Sequence, residues 1–258
     1  MRIEPPTPSG GAEVSGADLA RANHHEGPCG VSDQSGNQTA RNEDRSLTVE
    51  IFFDFICPWC LIGKRNLETA ARRFTALRPD VPLKVVWRSH QLLPDTPLEG
   101  LSYEAFYLDR LGSAEAVAAR RAMVQHAGYE AGIEFAFERI EVLPNTAAAH
   151  NLVAFAASRM RSAVLIERLF TAYFIEGKNI GDWRVLEQLG LECGLEREGL
   201  LDHLAHSRRV VDSAGRRSLH TGHQVSGVPH FVFNGAYALS GAHSPQAMVE
   251  AMVRAISD

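Results

Sequence analysis

LTVEIFFDFICPWCLIGKRNLETAARRF, residues 47–74, changes character at its middle, and that change decides how the rest of the chain is read. β-branched and aromatic residues fill positions 47–55, the composition of a strand buried on at least one face. Cys57 follows at the strand's end. Pro58 fits the first turn of a helix, where its missing N–H matters least. Leu61, Ile62, Leu67, Ala70, Ala71 and Phe74 then recur at helical spacing until Pro79 stops the element. Residues 83–87, LKVVW, form a second strand, so a compact strand–helix–strand unit carries two cysteines at its first turn.

That placement suits thiol chemistry. The unpaired N–H groups and the dipole at a helix N-terminus stabilise an anion, and thiolate is the form that attacks a disulfide. A two-residue spacer sets Cys60 about one turn beyond Cys57, within reach of a mixed disulfide formed on Cys57. Cys57 is therefore the expected exposed nucleophile and Cys60 the more buried resolving thiol. Two unrelated core cysteines, or half of a zinc site, are the competing readings. Zinc knuckles need a second ligand pair nearby. The chain has no second CxxC, and His203/His206 and His220/His223 lie more than a hundred residues away, so no metal is expected.

The wider composition is that of an ordinary globular protein, with nothing of a nucleic-acid or membrane protein. Of 258 residues, 45% are hydrophobic and 22% charged, and the net charge is −5, with no basic footprint for nucleic acid. No apolar run approaches the ~20 residues of a membrane span. The N-terminus, MRIEPPTPSGGAEVSG, lacks the basic start and apolar stretch of a secretory signal, which points to the cytoplasm. Four cysteines, at 29, 57, 60 and 193, are too few for a disulfide framework, and in a reducing compartment a close pair is catalytic or metal-binding.

Residues 1–46 are rich in Pro, Gly, Ser, Asn and charge and read as a disordered N-terminal tail. From about 100 to 206 strand signals nearly vanish. AEAVAARRAMVQHAGYEAG, NTAAAHNLVAFAASRM, VLIERLFTAYFIEG and DWRVLEQLGLECG all look helical, with Asn145 or Thr146 and Asp182 as caps. A further helical pattern around REGLLDHLAHSRRVVDSAGRRSLH leads to Gly227-Val228-Pro229. HFVFN and YALSG then form strands about an Asn234-Gly235 turn, and Ser244-Pro245 opens a last amphipathic helix.

In DFICPWCLIGK, LPNTAAAH, YFIEGKNIGD and VSGVPHFVFNGAYALSGA, the chain resembles the DsbA-like thioredoxin superfamily over roughly 47–256, and most nearly its cytoplasmic FrnE-like branch. The resemblance implies an α/β thioredoxin-like fold, a central mixed sheet with a large all-helical insertion. Residues 47–99 and 207–258 would form the thioredoxin-like domain and 100–206 the insertion. It also implies that Pro229 is the cis-proline of the fold, with its loop beside the cysteines. The Val228 backbone would then pair with a bound peptide or thiol. The activity implied is thiol–disulfide exchange on protein or small-molecule disulfides, with no bound cofactor and with glutathione as a redox partner. The alternative is a glutathione-dependent isomerase or transferase of the kappa-class or hydroxychromene-carboxylate isomerase type, which typically holds a serine at the first active position.

Two departures bear on the chemistry. The spacer is Pro-Trp, not the Pro-His of strongly oxidising relatives, which places the expected potential between about −180 and −270 mV. With Cys193 alone in the C-terminal half, no second redox pair can form there.

Other residues have two readings each. Asp54 carries protons for Cys60 or caps the helix turn. Trp59 is a substrate platform or packs against a neighbouring loop. His230 tunes Cys57 or is a half-exposed strand residue. His150 lines the cleft or is a satisfied, partly buried histidine. Arg208, Arg209, Arg216 and Arg217 suit an anionic ligand such as glutathione, or form a solvated helix face. Cys193, among leucines, reads as inert and Cys29 as incidental.

Overall fold

The structure, a computed structural model, describes residues 46–214 and 225–257. All but the last residue of the expected tail, including Cys29, lies outside the described residues, as do Arg216, Arg217, His220, His223 and the side chain of Arg209.

Strand β1 (Leu47–Phe53) is central. It pairs in parallel with β2 (Leu83–Ser89), Val49 opposite Val85, and antiparallel with β5 (His230–Phe233), Ile51 opposite Phe231. β6 (Tyr237–Ser240) closes the mixed sheet in the order β2-β1-β5-β6. β1 is apolar almost throughout because it has a neighbour on each side and covered faces, and Val49, Ile51, Phe52 and Phe53 are all buried.

The Asn234-Gly235 turn has both residues at positive φ, 49° and 70°, the conformation that favours this dipeptide. Asn234 also ties three segments together. Its N–H donates to Thr48 O, its Oδ1 accepts from Thr48 N and its Nδ2 donates to Ala255 O.

Four residues separate β1 from helix α1 (Pro58–Leu77). Cys60, Leu61, Leu67, Ala70 and Phe74 face inward at helical spacing. Helix α8 (Pro245–Arg254), capped by Ser244 Oγ on Ala247 N, packs beside it, and Asn66 Nδ2 donates to His243 O at 2.9 Å just ahead of it.

Between β2 and β5 run α2 (Tyr103–Leu111), α3 (Ala114–Glu130), α4 (Ala147–Ala157), α5 (Ser162–Phe174), α6 (Trp183–Glu192) and α7 (Arg197–Ala214). Asn145 Oδ1 accepts from Ala147 N at the start of α4, and Asp182 Oδ1 accepts from Arg184 N at the start of α6. Thr146, at the N-cap position of α4, makes no capping bond with its side chain.

The region also contains two strands that the sequence reading does not foresee, β3 (Leu101–Ser102) and β4 (Val142–Leu143), paired antiparallel. At two residues each they are too short to leave an alternating pattern. Helix α7 runs unbroken through the boundary placed between 206 and 207, so that boundary falls inside an element.

An aromatic cluster joins the helical block to the sheet. Phe55 and Phe170 have ring centroids 5.0 Å apart, and Phe53 lies edge-on to Phe55 at 5.1 Å. Charges add a second link: buried Lys64 pairs with Glu68 and with Glu167 of α5, and Arg65 pairs with the same Glu167. A buried ammonium persists only with such partners.

Candidate active site

Cys57 is the N-cap residue of α1, with extended backbone (φ −94°, ψ 107°) and Pro58 in the first turn. The helix therefore begins beneath its sulfur without a side-chain cap, and Cys60 N donates to Cys57 O at 3.0 Å. Both cysteines are thiols. Cys57 is not exposed as the sequence reading expects. It is 6% accessible against 2% for Cys60, because the Val228 loop covers it, and the Cys57 thiol donates to Val228 O at 3.5 Å.

The Val228–Pro229 bond is cis. Pro229 is buried and Val228 half-buried. Gly63, two turns into α1, lets this loop come close. A Cβ there would lie 3.2 Å from Pro229 Cγ and 3.0 Å from Phe231 Cζ. Trp59 is half-buried and packs against the core. His230 stands on β5 with Nδ1 2.7 Å from Ser240 Oγ and its ring beside Phe52.

Asp54 is wholly buried, and its carboxyl is not a helix cap. Oδ1 accepts from Phe55 N (2.8 Å) and Oδ2 from Leu92 N (2.7 Å), while Asp54 O takes the Cys57 N–H. The fourth neighbour is His150 of α4, with Nε2 3.2 Å from Asp54 Oδ1. His150 is 1% accessible and does not line a cleft. Phe53 and Phe55 flank its ring, and Nδ1 has no hydrogen-bond partner.

Burial pushes the Cys60 thiol well above its ordinary range, and a hydrogen bond with Cys57 and the charge of Cys57 add to the rise. A main-chain hydrogen bond from Asp54 opposes it, and the Asp54 charge reinforces it. The folded protein thus holds the Cys60 proton at a pH where the unfolded chain has released its own. The stability contributed is complete below the unfolded thiol value of about 8.5 and is lost as pH rises beyond it. Calorimetry of the reduced protein from pH 7 to 10 should show a falling melting temperature, with a shallower fall for Cys60→Ser. Parallel curves for the two proteins would contradict the argument. Cys193, buried at the end of α6, is also raised by burial, as suits an inert thiol.

Beside Pro58 lies a pocket the sequence reading misses, lined by Tyr103, Tyr107, Arg120, Arg121 and Phe137. The Arg121 guanidinium sits 5.3 Å over the Tyr103 ring, and its Nε has no hydrogen-bond partner. Burial pushes Tyr107 upward, and the Cys57 charge adds to this while the nearby arginines oppose it. The aromatic YEAFY stretch at 103–107 is the one local signal of this pocket, and nothing in it points toward residue 58.

A cysteine pair at the N-terminus of α1, a cis-proline loop against the first sulfur and a helical block inserted into a mixed sheet define a thioredoxin-like protein of the DsbA type. The DSBA-like thioredoxin domain model matches residues 48–253, and the chain belongs to that family. A probable DsbA oxidoreductase from Streptomyces coelicolor is 25% identical, with a TM-score of 0.72 over 82% of this chain and 91% of its own. The uncharacterized protein YwbO of Bacillus subtilis is 25% identical over 216 residues, 83% of this chain and 97% of YwbO. A 2-hydroxychromene-2-carboxylate isomerase shares the fold at 15% identity, with a TM-score of 0.55 over 80% of this chain and 95% of its own.

Proposed function

We propose that the protein is a thiol–disulfide oxidoreductase or isomerase of the FrnE-like branch, with Cys57 as nucleophile and Cys60 as resolving thiol. The observation that carries this reading is the placement of Cys57: it caps a helix, faces the Val228 carbonyl and lies one turn from a second thiol. The Cys57 sulfur attacks a substrate disulfide, the substrate S–S bond breaks, one substrate sulfur leaves as a thiolate and the other stays bonded to Cys57 as a mixed disulfide. The Cys60 thiolate then attacks Cys57 Sγ, an intramolecular disulfide forms, and the second substrate sulfur leaves as a thiolate. Val228 and Pro229 hold the substrate's sulfur-bearing segment against Cys57, and Trp59 borders it. Asp54 accepts the Cys60 proton, and His230 modulates from the neighbouring strand.

The Pro58-Trp59 spacer brings no positive charge to the pair, which supports a reductase or isomerase suited to a reducing, cytoplasmic setting. Substrates are protein or small-molecule disulfides, with glutathione as a redox partner. The Arg120 and Arg121 groups beside Pro58 suit a carboxylate on that partner. Among the described residues no helix is long and apolar enough to cross a membrane. No bound cofactor enters the scheme.

Reduction of insulin disulfides with dithiothreitol, run beside a glutathione titration, tests the assignment. Turnover is expected without glutathione. Tight glutathione binding with no reductase activity would instead favour the glutathione-dependent isomerase reading, although Cys57 stands where those enzymes typically hold serine.

A further inference from the structure

Asp54 and His150 lie 96 positions apart, one at the end of the central strand and one on the inserted helical block, and meet in the interior, where the Asp54 charge and main chain act on Cys60. A carboxylate only accepts hydrogen bonds, so His150 Nε2 carries the proton and donates to Asp54 Oδ1, which leaves Nδ1 as the bare nitrogen. Nδ1 is indeed the ring atom without a partner, and it sits against the Phe53 and Phe55 rings. An imidazole kept this way satisfies one of its two nitrogens and leaves the other buried and unpaired, which costs free energy. A phenyl ring would fill the same space among phenylalanines without that cost. The polar ring is therefore explained by what it does to Asp54.

We propose that His150 is a positioning residue for the resolving step: its Nε2–H holds the Asp54 carboxyl beside Cys60, so that the inserted block controls how readily Cys60 is deprotonated. The inference rests on the dithiol reading above.

In that step Asp54 takes the proton from Cys60 S–H, and the Cys60 thiolate attacks Cys57 Sγ in the mixed disulfide. The Cys57–Cys60 bond forms, the bond from Cys57 to the substrate sulfur breaks, and the substrate leaves as a thiolate. The protein pair loses the two electrons that the substrate disulfide gains. Asp54 keeps the proton until a dithiol reductant reopens the pair and Cys60, leaving as thiolate, takes it back.

Three N–H donors reach the carboxyl, from Phe55, Leu92 and His150. The two backbone donors come from segments fixed by the strand and the adjoining loop, so the side chain supplies the adjustable part. The ionisable groups around this centre are Cys60, itself under Cys57, on α1, His150 on α4 and Tyr173 on α5, whose hydroxyl is buried without a partner and feels the Asp54 charge. Gln91 and Thr146, bonded to each other nearby, are neutral.

Ellman's reagent separates the two halves of the reaction: with Cys29 and Cys193 replaced by serine, the reduced protein should release one equivalent of chromophoric thiolate on attack by Cys57 and a second on resolution by Cys60. In His150→Phe the first phase should keep its wild-type rate. The second should slow by about tenfold at pH 7, a fraction of what general-base catalysis provides. His150→Gln, which restores an N–H at similar reach, should bring the rate back toward wild type.

Asp54→Asn should slow the second phase by more than His150→Phe does, and adding His150→Phe to it should slow the reaction no further, because His150 acts through Asp54. A second phase with wild-type rate in folded His150→Phe would overturn the proposal. So would additive defects in the double variant, or an Asp54→Asn protein with a normal second phase, which needs no folded His150 variant. Release of a single equivalent by the protein that keeps only Cys57 and Cys60 would instead reject the dithiol reading itself.

Discussion

Cys57→Ser should abolish disulfide reduction and all trapping of substrate, whereas Cys60→Ser should keep the first attack and accumulate mixed disulfides. Loss of an attacking nucleophile removes the step on which later ones depend, so the fall in turnover should be at least about three orders of magnitude. The two sulfurs differ in what surrounds them more than in accessibility. Cys57 faces the Val228 carbonyl at the mouth of the site, while Cys60 sits one turn inside with its thiol pushed upward by burial. A protonated, enclosed thiol is a poor first attacker and a suitable second one, since its proton need leave only once a mixed disulfide lies beside it. Non-reducing electrophoresis and mass spectrometry of protein exposed to a model disulfide would read the adducts. Appreciable activity in Cys57→Ser with loss in Cys60→Ser would reverse the two roles.

Gly177→Ala should lower the melting temperature by about 10 °C without altering the chemistry of the remaining folded protein. Gly177 follows α5 at φ 71°, in the left-handed region where a side chain costs roughly 1–2 kcal/mol. Space is the larger problem. A Cβ would lie 2.2 Å from the Arg139 carbonyl oxygen and 2.7 Å from the Arg139 carbonyl carbon, and a backbone cannot rotate away as a flexible side chain can. Relieving the clash would pull the end of α5 from the 3₁₀ turn at Phe137–Arg139, where Ala136 N donates to Phe174 O at 2.9 Å. Strain and separation together should cost about 3–4 kcal/mol, and each kcal/mol shifts the midpoint by roughly 2–4 °C in a protein of this size. Gly177→Asn separates the two terms, since asparagine tolerates positive φ yet carries the same Cβ. It should be nearly as destabilised as the alanine variant. A change of under 2 °C in both would show that the neighbouring carbonyl has room to move.

Much of this architecture is legible in the residues because local chemistry and tertiary structure agree. The β-branched run into Cys57, the proline in the first turn of α1 and the Asn234-Gly235 turn each dictate the element found there. Tyr103–Leu111 is different. Ser102 caps it on Ala105 N and Gly112 ends it at φ 85°, so its boundary signals are present, but Ala105, Phe106, Tyr107 and Leu108 are consecutive, and such a run shows no helical period. The convergence on Asp54 left no local trace. Leu92 contributes only its backbone, which any residue but proline supplies. His150 is one of eleven histidines until the fold brings α4 against β1. The depth of Cys57 is likewise set from a distance, by a loop 171 positions away.

The tie between Thr48 and Asn234 spans 186 positions, and with it the order in which the chain can assemble is set. A ribosome adding roughly 5–20 residues per second delivers β1, α1 and β2 about 7–30 s before β5 exists to flank β1. During that interval the long edge of β1 has no antiparallel partner, and the Cys57–Cys60 pair has emerged without the loop that later covers it. Such non-local pairing slows folding and prolongs exposure of a strand able to join other chains. The nascent chain thus presents Cys57, Cys60 and an unpaired strand edge together until the Val228 loop and β5 arrive.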